Sequence, residues 1–333
     1  MASQLIAFDI GESLIKIVVF SGGRLKKAVA AELSDKMVSR GEIISMDAMA
    51  DFIRELCKKH SIPKGNACVI LPTSLVFTRA VDVPPMTEAQ LSYNLPFEFK
   101  DYLTEEKSRY YFDYSVQGVE HGEDGKAESL HLFACCTLKT TIESYREMFS
   151  RAGFKLYCAI PEECAFSALL YEHIQSTKAA GGDYCIADVG YTGIGMHIFS
   201  GWNEGTRRVI DLGLVDVVQA IADSRGVDEH MAREHMMSDY NGVMDDPACH
   251  EIYNRMAVEI MKAVNFYNYN NRDKTLERIY LCGGGVAVKQ IKDAISQTTN
   301  LEVFDIAELL PDDGGRLESP WLYAKAIGCA LQN

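Results

Sequence analysis

The chain opens with three short apolar runs that are separated by turn residues. The runs cover residues 4–9, 14–20 and 26–33. Runs of this length, the second of them rich in β-branched residues, predict strands, and Ser21-Gly22-Gly23 predicts the turn between the last two. Helical spacing follows at 47–60, and an apolar run at 67–71 predicts a buried strand. This order predicts an α/β sheet with covering helices.

From about residue 85 the pattern changes to helix, strand, strand, helix. The predicted elements are a helix at 87–100, strands at 110–119 and 129–137, and a helix at 139–152. Thr87 is a typical helix N-cap, and Gly153 is a typical C-cap. We interpret residues 85–158 as a small inserted α+β module.

The second half of the chain repeats the opening pattern. An apolar run at 183–189 is followed by strand patterns at 193–200 and 205–210. Asp9-Ile10-Gly11 and Asp188-Val189-Gly190 occupy the same place in the two copies, 179 positions apart. Such self-similarity indicates a duplicated fold. The rest of the pattern predicts helices at 215–223, 228–237, 247–270, 286–297 and 320–331, and a buried strand at 278–281.

The composition is that of a globular protein with an acidic surface. The chain has 333 residues, 47% of them hydrophobic and 24% charged, which is enough for two domains with sizeable cores. Its formal net charge is −14 and no Lys/Arg run stands out, which argues against nucleic acid as a partner. No window reaches the ~20 apolar residues of a spanning helix, and the N-terminal apolar stretch is too short for a signal sequence. We therefore expect a cytoplasmic protein that reaches a membrane only through a partner.

The cysteines and histidines do not form a recognisable metal or disulfide pattern. The ten cysteines include no C-x-x-C pair and lie mostly among apolar residues, so we expect free thiols in a reducing compartment. The eight histidines form no H-x-x-x-H pair with an acidic partner, which gives a metalloenzyme little support.

Each Asp-x-Gly element combines the two residue types that a phosphate site requires. Glycine at a turn lets the backbone approach a ligand and present amide groups to phosphate oxygens. The nearby carboxylate, Asp9 or Asp188, can hold Mg2+ through water. One such element is usually an ordinary turn. Two of them, at Gly11 and Gly190, predict that a triphosphate is held from two sides.

A lysine and a run of three glycines extend this hypothesis. Lys16, on the strand after the first turn, either faces solvent or neutralises the β- and γ-phosphates. Gly283, Gly284 and Gly285 follow a buried strand and precede a predicted helix, and three glycines cost backbone entropy. We interpret them as a flat surface under a purine base. The chain contains neither the P-loop nor the Rossmann glycine pattern.

A pair of carboxylates begins the next predicted helix. Glu162 and Glu163 follow Pro161, where negative charge favours the N-terminal end of the helix dipole. Capping is the simpler interpretation of both residues. The alternative is that Glu163 orients an attacking water molecule.

Taken together, three motifs resemble the phosphate-1, phosphate-2 and adenosine motifs of the actin-like ATPases. They are Phe8-Asp9-Ile10-Gly11, Ala187-Asp188-Val189-Gly190 and Leu281-Cys282-Gly283-Gly284-Gly285. Within that group, the chain is similar to the type IV pilus assembly protein PilM family, relatives of the division protein FtsA. Further stretches that carry the resemblance are Val83–Leu91, Ala152-Gly153-Phe154, Glu259-Ile260, Phe266-Tyr267 and Ala326–Leu331.

The resemblance implies an α/β fold of the actin-like ATPase (ribonuclease H-like) class, duplicated into two lobes. The expected parts are a first half at 1–84 and 159–182, an inserted subdomain at 85–158, and a second half at 183–333 with a smaller subdomain at about 214–272. ATP would bind between the halves. Mg2+ would be held by Asp9 and Asp188 through water, and Asp188 and Glu163 would be the catalytic candidates. The expected phosphate contacts are Asp9, Gly11, Ser13, Lys16, Asp188, Gly190 and Thr192, with Gly283–Gly285 at the adenosine.

The sequence departs from the family pattern at both turns and on one helix. Glu12 and Leu14 stand where the family has small hydroxyl residues, which leaves Ser13 at the first turn, whereas Thr192 keeps a hydroxyl at the second. The segment Met231–Met237 lacks the lysine that reaches the nucleotide in the family.

The resemblance therefore implies an adaptor that is at most a slow ATPase. A groove between the first subdomain and the inserted module would bind the cytoplasmic N-terminal tail of a PilN-like inner-membrane protein. That contact would connect the membrane assembly to the pilus motor ATPase. The alternatives are a small-molecule kinase of the same fold, an FtsA-like filament protein and a pseudo-ATPase scaffold.

Overall fold

The computed structural model describes residues 4–34, 37–179, 182–271, 275–312, 315 and 317–332. The chain forms two compact units. The first comprises the residues up to Ala168 and again those from Lys325 onward, and the second comprises Leu169–Ala324. The subdomain boundaries expected from the sequence stay predictions.

Within the described residues, the chain forms fifteen strands and nine α-helices. The strands are β1 (Leu5–Ile10), β2 (Leu14–Ser21), β3 (Arg24–Glu32), β4 (Val38–Ser39), β5 (Glu42–Ile43), β6 (Asn66–Leu71), β7 (Phe77–Val83), β8 (Tyr110–His121), β9 (Ala127–Leu138), β10 (Lys155–Pro161), β11 (Asp183–Val189), β12 (Ile194–Ser200), β13 (Asn203–Ile210), β14 (Arg278–Cys282) and β15 (Glu302–Asp305). The helices are α1 (Met46–Lys59), α2 (Glu88–Glu98), α3 (Lys139–Ala152), α4 (Glu162–Thr177), α5 (Leu214–Arg225), α6 (Glu229–Ser238), α7 (Pro247–Asn270), α8 (Lys289–Thr298) and α9 (Ala324–Ala330).

The first unit is built on a five-stranded sheet with the order β10-β6-β1-β2-β3. Strands β1, β2 and β3 form consecutive antiparallel hairpins, whereas β6 runs parallel to β1 and β10 parallel to β6. Gly22 and Gly23 supply the positive φ angles of the β2–β3 turn, which side chains disfavour. Helices α1 and α3 pack on this sheet around a core that includes Phe8, Ile53 and Phe149. The predicted sheet and its covering helices are confirmed.

The segment predicted as an inserted module contributes β8 and β9 to a three-stranded sheet with the order β7-β9-β8, together with α2. Strand β7 precedes the predicted boundary at residue 85, and α3 packs on the five-stranded sheet instead. Helix α2 begins after Thr87, which forms a capping box with Gln90. A small separate core contains Leu91 and Phe99. The sequence pattern did not predict β7, because most of its residues are at least partly exposed and its apolar run is weak.

The second unit repeats the first sheet strand for strand. Its order is β13-β12-β11-β14-β15, with antiparallel pairing along β11, β12 and β13 and parallel pairing from β11 to β14 and β15. The long helix α7, predicted at 247–270, packs in a core with Val218 of α5 and Ile291 of α8. The predicted duplication is therefore confirmed.

Two helix predictions near the end of the chain are wrong in their bounds. The helix expected at 286–297 starts at Lys289, because the glycine run continues into a 3-10 turn at Gly284–Ala287. The helix expected at 320–331 is a 3-10 turn at Pro320–Leu322 followed by α9. Apolar spacing does not separate i+3 from i+4 hydrogen bonding over so few residues.

The cysteines are free thiols, as predicted. All ten are free and seven of them are buried. Within the described ranges, no helix is both long enough and apolar enough to cross a bilayer.

Helix α9 packs against α4 at a glycine. A Cβ on Gly328 would lie 2.0 Å from the carbonyl oxygen of Ala165. Gly328→Ala should therefore lower the free energy of unfolding by about 1–3 kcal/mol, the usual cost of overpacking. Gly182→Ala is the matched control, because nothing lies within 4 Å of that position. Urea unfolding measures both variants, and equal midpoints would contradict the close approach of the two helices.

Candidate functional site

The first Asp-x-Gly element forms a tight turn between β1 and β2. The amide of Gly11 donates to the carbonyl oxygen of Leu14 at 2.9 Å. A Cβ on Gly11 would lie 3.2 Å from that oxygen and 3.2 Å from Nζ of Lys16, which is closer than an ordinary contact. The turn thus brings the backbone at Gly11 against the ammonium group of Lys16.

Asp9 and Lys16 form a buried ion pair across the two strands. They are register partners, and Nζ of Lys16 lies 3.1 Å from Oδ2 of Asp9. Burial by itself raises the pKa of the Asp9 carboxyl, but the ammonium groups of Lys16 and Lys325 outweigh burial, so the pKa lies below its ordinary value. Of the two interpretations of Lys16, a solvated strand face is excluded, because only 12% of its side chain is exposed.

A second lysine reaches the same carboxylate from α9. Nζ of Lys325 lies 3.9 Å from Oδ1 of Asp9 and 3.6 Å from Oε2 of Glu162. The cluster of Asp9, Lys16, Glu162 and Lys325, which we call the Asp9 cluster, lies within the first unit. The sequence pattern did not predict Lys325 as a member of this cluster. A lone lysine between Ala324 and Ala326 in an apolar helix was the available indication.

The neighbours of the first turn also have defined contacts. Oε1 of Glu12 accepts a hydrogen bond from the amide of Gly41 at 2.5 Å, so the Glu12 carboxylate is held toward the turn between β4 and β5. The carbonyl oxygen of Ser13 accepts from the amide of Leu33 at 2.9 Å. The carboxylate of Glu12, which departs from the family pattern, is therefore hydrogen-bonded to another backbone segment of the same unit.

Glu163 is buried at the start of α4. Its Oε1 accepts a hydrogen bond from the hydroxyl of Thr78 on β7 at 3.1 Å, and the residue is 1% exposed. This contact joins α4 to the inserted sheet. The catalytic role of Glu163 stays a prediction.

The second Asp-x-Gly element forms the same turn between β11 and β12. The amide of Gly190 donates to the carbonyl oxygen of Gly193 at 2.9 Å, the counterpart of the Gly11–Leu14 bond. The carbonyl oxygens of Gly190 and Tyr191 then accept from the first amides of α5 at 3.2 and 2.8 Å. Thr192, at the tip, is exposed. Hydrogen bonds thus fix this turn to the start of α5, and Thr192 is exposed at its tip.

The glycine run lies beside Asp188 because β11 and β14 are parallel neighbours. Asp188 is the register partner of Cys282, the residue before Gly283. Gly283 has a φ of 87°, and a Cβ there would lie 2.3 Å from Oδ1 of Asp188. A Cβ on Gly285 would lie 2.2 Å from Cγ1 of Val189. Packing against the end of β11 therefore requires glycine at both positions.

Gly284 differs from its two neighbours. The nearest atom to a Cβ at this position is Cδ1 of Leu214, at 3.6 Å, which is an ordinary contact. Its φ lies outside the left-handed region. The packing of the second unit therefore does not require glycine at this position.

Helix α6 contacts the second turn through an arginine. The guanidinium of Arg233 lies 4.6 Å from the centroid of the Tyr191 ring, a cation–π distance. The Tyr191 hydroxyl donates to Oε1 of Glu229 at 3.4 Å. Arg233 thus brings a positive charge to the second turn from the helix that lacks the family lysine.

Asp9 suits a hydrated magnesium ion better than a protein-caged metal. Within the described ranges, no group of three or more His, Cys, Asp and Glu side chains is arranged to hold a metal. Magnesium keeps several water ligands and takes one or two carboxylates together with phosphates. Asp9 fits that role, since its lowered pKa keeps it ionised.

The chain is similar to a pilus protein over most of its length. The family model for the type IV pilus assembly protein PilM matches residues 7–311. A solved PilM-PilN type IV pilus biogenesis complex aligns with 98% of this chain and 98% of its own, with a TM-score of 0.81 and 21% identity. The ethanolamine utilization protein EutJ from Carboxydothermus hydrogenoformans aligns with 99% of this chain and 90% of its own, with a TM-score of 0.60 and 14% identity. No curated protein sequence matches the chain.

At these identities the solved structures establish the fold alone. Together with the duplicated sheets, they confirm the predicted α/β actin-like ATPase fold.

Replacing Asp9 should destabilise the first unit in a pH-dependent way. Asp9→Asn takes a carboxylate away from the partly buried ammonium groups of Lys16 and Lys325, and the expected cost at neutral pH is about 3 kcal/mol. The folded-state pKa of Asp9 lies below its unfolded-state value. Its ionised form therefore stabilises the native state above the unfolded-state pKa, and this contribution disappears as the pH falls through the folded-state pKa.

Urea unfolding between pH 8 and pH 3 measures the difference between wild type and Asp9→Asn. The difference should stay constant down to about pH 5 and shrink below about pH 4. Asp51→Asn, on the exposed surface of α1, is the control and should show neither the cost nor the trend. A gap that does not narrow toward pH 3 would contradict the prediction.

Proposed function

The chain belongs to the type IV pilus assembly protein PilM family, and from this we propose that it is a nucleotide-dependent adaptor of pilus assembly. It binds ATP with Mg2+ through the glycine turns of both units. It also binds the cytoplasmic N-terminal tail of a PilN-like inner-membrane protein. On this proposal it is a cytoplasmic protein that its partner holds at the membrane. It connects that partner to the pilus motor ATPase.

The observation that carries the nucleotide proposal is the repetition of one turn in two units. Gly11 and Gly190 each close a turn with a 2.9 Å hydrogen bond three residues on, and each follows a strand that carries an aspartate near its end. Backbone amides at glycine turns are suited to phosphate oxygens. The same turn in both halves supports a ligand that carries several phosphates.

The proposed roles follow from the contacts within each unit. Asp9 and Asp188 hold Mg2+ through water, and Lys16 neutralises phosphate charge as a compact ammonium group. Ser13 and Thr192 supply hydroxyl donors to the phosphates. Gly284 lies under the base. Bound Mg2+ would neutralise the triphosphate, and turnover, if it occurs, is slow, with Asp188 and Glu163 as its catalytic candidates.

Exposed aromatic side chains on the inserted module support a protein partner. Those residues are Phe77, Tyr93, Phe97, Tyr102 and Tyr111. The rings of Phe77 and Tyr102 lie 5.6 Å apart. Phe77 precedes Thr78, the residue that joins β7 to α4. Tyrosine and phenylalanine are enriched where proteins meet, so this pair is our proposed anchor for the tail.

Gly284→Val tests nucleotide binding without disturbing the apo fold. Because packing does not require glycine at this position, the free energy of unfolding in urea should stay within about 0.5 kcal/mol of wild type. A branched side chain under the base should weaken ATP–Mg2+ binding at least about tenfold. Isothermal titration calorimetry measures the affinity.

Gly182→Val is the matched control, since that position is open, and it should bind ATP as wild type does. Unchanged ATP affinity in Gly284→Val, with the fold intact, would remove Gly284 from the site. A wild-type chain that binds no ATP–Mg2+ would overturn the nucleotide proposal as a whole.

Tyr102→Ala tests the proposed partner surface. The probe is a labelled peptide that covers the N-terminal tail of a PilN-like protein from the same organism, and fluorescence anisotropy gives its Kd. Loss of an aromatic anchor should raise the Kd roughly fivefold or more. Tyr269→Ala, an exposed tyrosine of the second unit, should leave it unchanged. Equal effects of the two variants would contradict this placement of the tail.

A further inference from the structure

The Asp9 cluster contains two cations around one buried carboxylate. Lys16 reaches Oδ2 of Asp9 at 3.1 Å and Lys325 reaches Oδ1 at 3.9 Å. Glu162, 3.6 Å from Lys325, is the second anion. The side chains of Lys325 and Glu162 are only 17% and 15% exposed. The four charges sum to zero, which is the condition for keeping them away from bulk water.

The second cation is held on a closely packed element. Helix α9 approaches α4 at Gly328, where a Cβ would lie 2.0 Å from the carbonyl oxygen of Ala165. One turn further, Nε2 of Gln332 donates to the carbonyl oxygen of Cys164 at 2.6 Å. Cys329 between them is buried. Lys325 is therefore presented from a fixed helix, and its ammonium group is positioned in advance.

We propose that Lys325 is a second phosphate-binding cation of the first unit, beside Lys16. The inference rests on the proposed ATP site and adds a residue to it. Both ammonium groups lie next to the carboxylate that would hold the hydrated Mg2+. The turn at Gly11, whose amides would contact phosphate, lies against one of them. An anion that reaches Gly11 and Asp9 therefore comes into the field of both lysines.

The charge balance of this chain gives a reason for a second cation. Glu12 adds a carboxylate beside the first turn, and its contact with Gly41 turns that group aside without removing its charge. The α6 segment has no lysine. An ammonium group is compact and can move between a carboxylate and a phosphate. Lys325 thus supplies, from the first unit itself, positive charge that a triphosphate requires.

The test compares three ligands that share a base and differ in phosphate number. Calorimetry with ATP–Mg2+, ADP–Mg2+ and adenosine is carried out on wild type, Lys325→Met, Lys16→Met and the surface control Lys58→Met. Lys325→Met should weaken ATP binding about tenfold, the size of one charge-assisted contact. The loss should be smaller for ADP and absent for adenosine. Lys58→Met, on the exposed face of α1, should match wild type throughout.

A purely structural role for Lys325 predicts a different result. It would lower the urea midpoint and reduce the affinity for all three ligands alike, or for none. Either pattern overturns the inference. If Lys325→Met binds ATP normally and Lys16→Met does not, Lys325 is not a phosphate contact, although the proposed ATP site is supported. If wild type binds no ATP, the proposed function and this inference fail together.

Two further variants keep the test decisive if Lys325→Met does not fold. Lys325→Arg keeps the charge and should retain most of the ATP affinity. The double variant Lys325→Met with Glu162→Gln removes a cation and an anion together, so no buried carboxylate is left without its cation. It should fold and still show the phosphate-dependent defect. Wild-type ATP affinity in the double variant overturns the proposal.

Discussion

A carboxylate buried at a strand end requires positive charge close to it, and in this protein the first unit is arranged to supply it. Asp9 is near the end of β1, and β1 lies in the middle of its sheet, between β2 and β6. The register of the β1–β2 hairpin places Lys16 opposite Asp9, and Lys325 reaches Asp9 from α9. Leaving such a carboxylate without compensation would cost several kcal/mol. The hairpin, the helix α4 and the helix α9 are thus connected through one electrostatic requirement.

The second unit uses the same topology with a different residue opposite its aspartate. Gly195 is opposite Asp188 where Lys16 is opposite Asp9, and the space beside Asp188 is filled by the glycine run after β14. One copy of the duplicated hairpin thus places a lysine opposite its aspartate, and the other places a glycine there. Backbone with no side chains is suited to a flat aromatic base, and ammonium groups are suited to phosphate. The two copies of the hairpin have therefore diverged at the position opposite the aspartate.

Much of this arrangement could be predicted from the sequence, because the apolar runs and the two Asp-x-Gly elements are local patterns. The duplication and α7 follow from such patterns alone. The contact of Lys325 with Asp9 could not be predicted in this way, since the two residues are far apart along the chain and only the folded sheet and helices bring them together. The three glycines look alike in sequence, and only their neighbours separate the two that packing requires from Gly284. The orientation of Glu12 likewise depends on Gly41, a contact between distant loops.

The return of the chain to the first unit at Lys325 has a consequence for biosynthesis. Residues of the first unit are made before residue 169 and after residue 324. During translation, the surface that α9 covers on the early part of this unit therefore stays exposed until the whole second unit has been synthesised. Domains usually fold in the order in which they are synthesised, and here the earlier domain is the later one to be completed.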